Sequence, residues 1–347
     1  MGEGAVDELV RRATAIVPVL RAHAAWGDQH RRLHEEVLEA MADAGVLRLR
    51  VPTAHGGHGA DLCAVVRVVA ELARGDGSAA WTAAVWAIST WVAGRFPEQV
   101  RQEVFAKPDV RVTGILSPTA TAEPVPGGVV VNGRWAFTTG APQCDWTTNA
   151  ALLAPHREPV VLALPVADLE VVDDWHTTGL RATGSVTTLA RDVFVPADRV
   201  LPLTPLLEGD PAAPLPLFRA PYPVAACATV SAPAVGLVRE ALRLAPDSPR
   251  AREAAVLADD AQHHAERAAA VVDAKAVRGE AWTPKERAWV REDLIEACLR
   301  AKDAVDVLDG NDPVLHRVQR DVHALHLHAV LHPNANLERY EQVFRRR

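Results

Sequence analysis

The chain has 347 residues, more than a single hydrophobic core usually serves, so two or three subdomains are expected. Its 37 Lys and Arg stand against 44 Asp and Glu, a formal net charge of −7, and this mild acidity argues against nucleic acid as the main partner. Four scattered cysteines (Cys63, Cys144, Cys227, Cys298) without a C-x-x-C exclude the usual zinc or redox-dithiol spacing, and with no N-terminal signal and no apolar run of membrane-spanning length the chain is expected to be soluble and cytoplasmic.

The first third reads as helices. Asp28 is a candidate N-cap before an amphipathic run, Gly45 a candidate C-cap, and Asp61 the cap of a helix through Ala73. Residues 78–92 are apolar on nearly every side, which marks a buried helix, and Pro97 suits the first turn of a short one. From Val110 to about Leu203 short Val- and Thr-rich runs alternate with Gly, Pro and Asp, predicting a compact sheet or barrel. Pro202, Pro205, Pro211, Pro214 and Pro216 mark a linker. Four Ala-rich periodic runs follow, at about 224–244, 250–277, 285–308 and 314–331, long enough to bury their stripes against each other as a bundle. Thr283-Pro284 makes a cap and first turn for the third. No internal repeat is seen.

Two segments carry chemistry. Gly133-Arg134-Trp135-Ala136-Phe137-Thr138-Thr139-Gly140 closes an alternating strand. Trp135 and Phe137 are two apart, so a regular strand points them to one face, with hydroxyls and a glycine at its end. That suits a flat, aromatic, hydrogen-bonding ligand; an ordinary hairpin strand with a buried Trp accounts for it equally well. The second is Trp175-His176-Thr177-Thr178-Gly179-Leu180-Arg181-Ala182-Thr183-Gly184-Ser185, which runs into a strand ending Asp192-Val193-Phe194-Val195-Pro196. Neither G-x-G-x-x-G after a strand nor G-x-x-x-x-G-K-[ST] occurs, so neither a nicotinamide nor an ATP site is indicated.

Together these segments resemble the middle domain of the acyl-CoA dehydrogenase fold, and in particular its oxygen-using branch, the two-component (group D) flavin-dependent monooxygenases. Val51-Pro52 with His55-Gly56-Gly57-His58-Gly59 is similar to the family's N-terminal P-x-x-x-G-G turn, and Gln319-Arg320-Asp321 with the His-rich stretch after it to its C-terminal R-D…H segment. The resemblance implies an α+β fold of three parts: an N-terminal helical domain (1–108), a central β-barrel or sheet domain (109–205) and a C-terminal four-helix bundle (206–347). It implies an oxidoreductase that takes reduced flavin, FMN or FAD, from a separate reductase and uses O2 to hydroxylate or N-oxidise a small organic substrate in specialised metabolism. A homo-oligomer, dimer or tetramer, and no membrane partner go with it.

The resemblance also implies residue roles. Thr138 and Thr139 stand beside the flavin ring, Thr139 next to ring N5, with Trp135 and Phe137 as the apolar surround. Ser117 lies along the pyrimidine edge. Arg181, Thr183 and Ser185 fall where the family turn nears the phosphate end or a subunit contact; an ordinary surface turn is the other reading of Arg181. Trp81, after Gly77-Ser78-Ala79-Ala80, is the substrate-side candidate, while Trp86 and Trp91, spaced by five, point elsewhere around the helix. His328 is the proton donor or acceptor. His328 and His332 share a helical face, but without H-E-x-x-H no metal is expected. The alternative is an acyl-CoA dehydrogenase or oxidase using FAD. Its Y-E-G-T is broken at Tyr340-Glu341-Gln342-Val343, leaving Glu338 and Glu341 as fallback bases, and R-x-x-F-G is missing. A non-catalytic, partner-binding chain is the third reading.

Overall fold

The computed structural model describes residues 1–332. Helices come first: α1 (Glu3–His30), α2 (Glu35–Asp43), α3 (Leu62–Ala73), α4 (Gly77–Ala93) and α5 (Glu98–Val104). Asp61 caps α3 as expected, its side chain accepting the N–H of Ala64. The Asp76 carboxylate caps α4, accepting from Ser78 and Ala79 N–H. Every residue of α4 except Val85 is buried, which explains a run that is apolar on all sides. Gly45 follows the C-cap of α2 at φ +78°, a left-handed position that costs glycine nothing. Asp28, in contrast, caps no helix. It lies in the last turn of α1, and the His34 ring caps α2 by accepting the N–H of Glu36. An Asp near a helix end reads alike in sequence whether the helix starts or stops there.

Residues 112–202 supply eight strands: β1 (Val112–Thr113), β2 (Ala120–Val125), β3 (Gly128–Thr138), β4 (Trp146–Leu153), β5 (Glu158–Pro165), β6 (Glu170–Val172), β7 (Val186–Pro196) and β8 (Val200–Pro202). They form one mixed sheet in the order β6-β7-β3-β2-β4-β5-β8, with β1 lying parallel to β4. One face buries its own core, built on Ala122, Val131, Trp135, Leu162 and Leu164.

A short α6 (Thr204–Glu208) interrupts the proline-rich linker, and then come α7 (Tyr222–Leu244), α8 (Pro249–Arg278), α9 (Pro284–Asp306) and α10 (Pro313–His326). Thr283 and Glu286 form a reciprocal capping box at α9. The helix α7 packs on α3 and α4 as well as on α8, α9 and α10, so the N-terminal helices and the bundle share one core. It is also long and apolar enough, by length and composition, to cross a membrane, which corrects the expectation that no run approaches that length. Within this fold 94% of its apolar window is buried against other helices.

Helix α10 stops at His326, short of residue 331, and the chain turns after Leu327. His328 and His332 therefore do not share a helical face. They are linked instead by a turn in which His332 N–H donates to the His328 carbonyl at 2.9 Å. Glu338, Tyr340, Glu341 and the terminal arginines lie outside the described residues.

Candidate active site

The site is built where β3 ends. Val129, Val131 and Trp135 point inward at every second position, as a half-buried strand requires. Two more residues should bring Phe137 to Trp135's side. The structure overturns this: Phe137 sits at φ +65°, the register against β7 slips between Trp135 and Thr138, and the bulge turns Phe137 to the opposite face. Trp135 is fully buried in the sheet's core, with Nε1 donating to the Ala150 carbonyl at 2.8 Å. Phe137 is 66% exposed, its ring edge-on to Trp175 with centroids 6.3 Å apart. Trp135 is thus not part of a ligand wall. Phe137 carries two costs at once. A left-handed backbone costs a bulky residue about 1–2 kcal/mol, and leaving a Phe ring in water forgoes about 1.5–3 kcal/mol of burial. Strain and apolar exposure on one residue point to function at that residue.

After Phe137 the chain is clamped. The buried Thr138 hydroxyl donates to the Trp135 carbonyl and pairs with Thr188 Oγ1 at 3.1 Å, so it braces the bulge from inside and its hydroxyl does not reach a ligand edge. Thr139 is the hub. Its carbonyl accepts from Trp86 Nε1 at 3.2 Å and Thr113 Oγ1 at 2.7 Å, and its hydroxyl meets Trp81 Nε1 at 3.3 Å and Ser185 Oγ at 2.9 Å. Gly140, at φ +66°, lies so near Trp86 that an added Cβ would stand 2.7 Å from the ring. Trp81 and Trp86, expected to point apart, converge because α4 crosses this strand end and the two indoles reach one residue from two turns. Trp91 goes elsewhere, to the Leu217 carbonyl.

The 175–185 turn folds behind Thr139. Thr183 and Ser185 are buried, joined to each other at 2.8 Å and, through Ser185, to Thr139. They support the hub itself and do not form a separate charged edge. Arg181 donates to the carbonyls of Asp28 at 2.7 Å and Thr177 at 2.8 Å, which ties the turn to the C-terminal end of α1, where a cation is favoured. Ser117 lies outside any strand, exposed on the loop between β1 and β2.

The last wall comes from α10 and the turn after it. His328 packs edge-on against Trp81, centroids 4.8 Å apart, and burial pushes its imidazole down to about 4. It is therefore neutral near neutral pH, and because Nδ1 accepts the N–H of Val330 its proton sits on Nε2. Seven residues earlier, on α10 itself, Asp321 is buried and accepts the N–H of Leu180 at 2.6 Å, which holds the 175–185 turn against α10. Burial raises its carboxyl to about 7, with Asp76 nearby adding to the effect. Sequence reasoning had placed Asp321 in a motif without a role. It pointed Trp86 away from the site and missed Thr113 and Thr188 altogether, since nothing local marks a residue that acts across 25 or more positions of chain. His323 is exposed and pairs with Asp306. Among the described residues one group of metal-type ligands gathers, His23, His34 and Glu36, away from this site; His34 Nδ1 there is taken by the Glu36 N–H.

A strand end with an outturned aromatic ring, a hydroxyl hub and a neutral histidine can take a flat ring system on Phe137, offer the Thr139 hydroxyl oxygen at its polar edge, and hold a proton at His328 Nε2. The residues fit a flavin on that ground: Phe137 has an apolar face with no protein covering it, next to a hub of hydroxyls. No enclosed nucleotide-shaped cavity is needed for the fit, because the ring wall is open.

The model of the acyl-CoA dehydrogenase N-terminal domain matches residues 5–104. The oxygenase subunit HsaA of a flavin-dependent monooxygenase from Rhodococcus jostii (strain RHA1) is 29% identical over 93% of this chain and 94% of its own length. Among solved structures, 3-HSA hydroxylase from Rhodococcus sp. RHA1 superposes with a TM-score of 0.89 at 28% identity, covering 97% of this chain and 96% of that one. XiaF from a Streptomyces species, solved with FADH2, superposes with a TM-score of 0.90 at 26% identity over 98% and 96% of the two chains.

Proposed function

We propose that this chain, which belongs to the acyl-CoA dehydrogenase superfamily on the side of its two-component flavin-dependent monooxygenases, is an oxygenase component: it receives reduced flavin from a separate reductase and inserts one oxygen atom of O2 into a small organic substrate. The observation that carries the reading is Phe137, forced outward at φ +65° beside the Thr139 hydroxyl hub. Bound there, reduced flavin supplies the two electrons and the site of dioxygen activation.

The chain's own residues supply the rest. Phe137 offers the ring a face, and Thr139 a hydroxyl at its polar edge. Trp81, Trp86 and the enclosed hydroxyls behind Thr139 keep water from that side. His328, neutral and in contact with Trp81, holds a proton at Nε2 near the substrate side. Ser117, exposed on its loop, is assigned to the flavin's polar edge and Trp81 to the substrate wall.

The reading extends to a cytoplasmic homo-oligomer, dimer or tetramer, acting in specialised metabolism with FMN or FAD. Exposed Phe194 and Trp289 support the oligomer, since large apolar side chains in water favour a covering surface. Anaerobic titration with reduced FMN and reduced FAD tests the core of the proposal. Saturable binding of either, weakened about tenfold in Phe137→Ala with the fold intact, is expected. No binding of either redox form by the wild-type chain would overturn it.

A further inference from the structure

We propose that Thr183 and Ser185 lock the Thr139 hydroxyl as a hydrogen-bond acceptor, so that the site selects reduced over oxidised flavin. The inference rests on the flavin reading above and assigns the two buried hydroxyls a specificity role within it.

The argument is a proton count along one chain of contacts. A carbonyl oxygen only accepts, so the Thr183 hydroxyl donates its single hydrogen to the Leu180 carbonyl at 2.8 Å. The 2.8 Å contact between Thr183 and Ser185 must then use the Ser185 hydrogen. The 2.9 Å contact between Ser185 and Thr139 must in turn use the Thr139 hydrogen. At the far end an indole N–H only donates, so Trp81 Nε1 occupies one acceptor position of Thr139 Oγ1. The Thr139 hydrogen is committed inward, and what it has left for a ligand is one lone pair. Leu180 is itself held in place, its N–H accepted by Asp321, so the carbonyl that sets the order does not drift.

Reduced isoalloxazine carries a hydrogen on ring N5 and donates there; the oxidised ring has a bare N5 and accepts. An acceptor-only Thr139 matches the first and leaves the second unpaired. To turn its hydrogen toward an oxidised ring, the whole relay must reverse, and Thr183 then gives up its bond to the Leu180 carbonyl. Losing one buried hydrogen bond corresponds to about a three- to tenfold change in affinity.

The experiment is anaerobic titration with FMN and FAD in both redox states, comparing the ratio of oxidised to reduced dissociation constants. Ser185→Ala removes the acceptor of the Thr139 hydrogen. Thr183→Val leaves Ser185 free to donate to Thr139. Each should free that hydrogen and lower the ratio about three- to tenfold, chiefly by tightening the oxidised form, with a matching negative shift of the bound flavin's midpoint potential. Two variants keep the test open if one folds poorly. Phe137→Ala should weaken both redox forms alike and leave the ratio unchanged. If wild type binds reduced flavin but both relay variants keep its ratio, the relay is wrong and the flavin site stands. If wild type binds neither form, the site itself is wrong.

Discussion

Trp135 and Phe137 are neighbours by strand alternation, yet they live in different solvents. From Val129 to Trp135 the strand β3 obeys period two and feeds the sheet's core. A first slip against β7, between Val131 and Gly133, leaves that alternation intact; from Ala136 onward a second slip comes with a left-handed backbone, and the next aromatic ring faces out. The first half of the strand is built for stability and the second for contact with something else. A local rule holds where burial enforces it and fails where a functional surface is held by clamps from α4, β7 and the 175–185 turn.

The largest expected effect tests the inner half. Trp135→Ala removes a fully buried indole and orphans its bond to the Ala150 carbonyl, and should cost about 3–5 kcal/mol in urea unfolding. A loss below about 1 kcal/mol would mean the indole is not the core residue described here.

Asp321 comes next. The native carboxyl holds its proton up to about pH 7, because burial dominates and Asp76 and Asp28 add to it while the Leu180 N–H and, more weakly, Arg317 oppose. Unfolded, it releases that proton near 3.8, as an ordinary aspartate does. The native state therefore binds more protons between these values, and this group's destabilising contribution is absent below about pH 4, grows as pH rises, and is complete above pH 7. Asp321→Asn still accepts the Leu180 N–H but cannot ionise. Its unfolding free energy should exceed that of wild type at pH 8 by an amount of order a few kcal/mol that shrinks toward pH 5, read by urea unfolding at each pH. Parallel curves for the two proteins across that range would refute the assignment.

Gly140→Ala tests the clamp. A left-handed alanine whose Cβ meets the Trp86 ring should cost about 1–3 kcal/mol and loosen the Trp81–Thr139 contact, readable as a change in tryptophan fluorescence. Phe137→Ala is the smallest in stability, within about 0.5 kcal/mol, since the exposed ring contributes little burial and alanine keeps the left-handed backbone, while reduced-flavin affinity falls by about tenfold. A large stability loss there would erase the distinction between the two halves of the strand.

Much of this protein was legible from residues alone. The order of helices, strands and helices follows from periodicity and breakers, since a buried face imposes its period on any sequence that makes it. Asp61, the capping box at Thr283 and the all-round apolar α4 are local signals with local consequences. The two Gly-, Trp- and Thr-bearing segments also announced themselves, and the structure brings them together at Thr139. What only tertiary structure decided is how that meeting is made. The bulge that separates Phe137 from Trp135, the convergence of Trp81 and Trp86, the early end of α10 and the direction of the hydroxyl relay all depend on groups far apart in the chain. A hydrogen bond's direction is set by every partner at once, and no window of sequence contains them all.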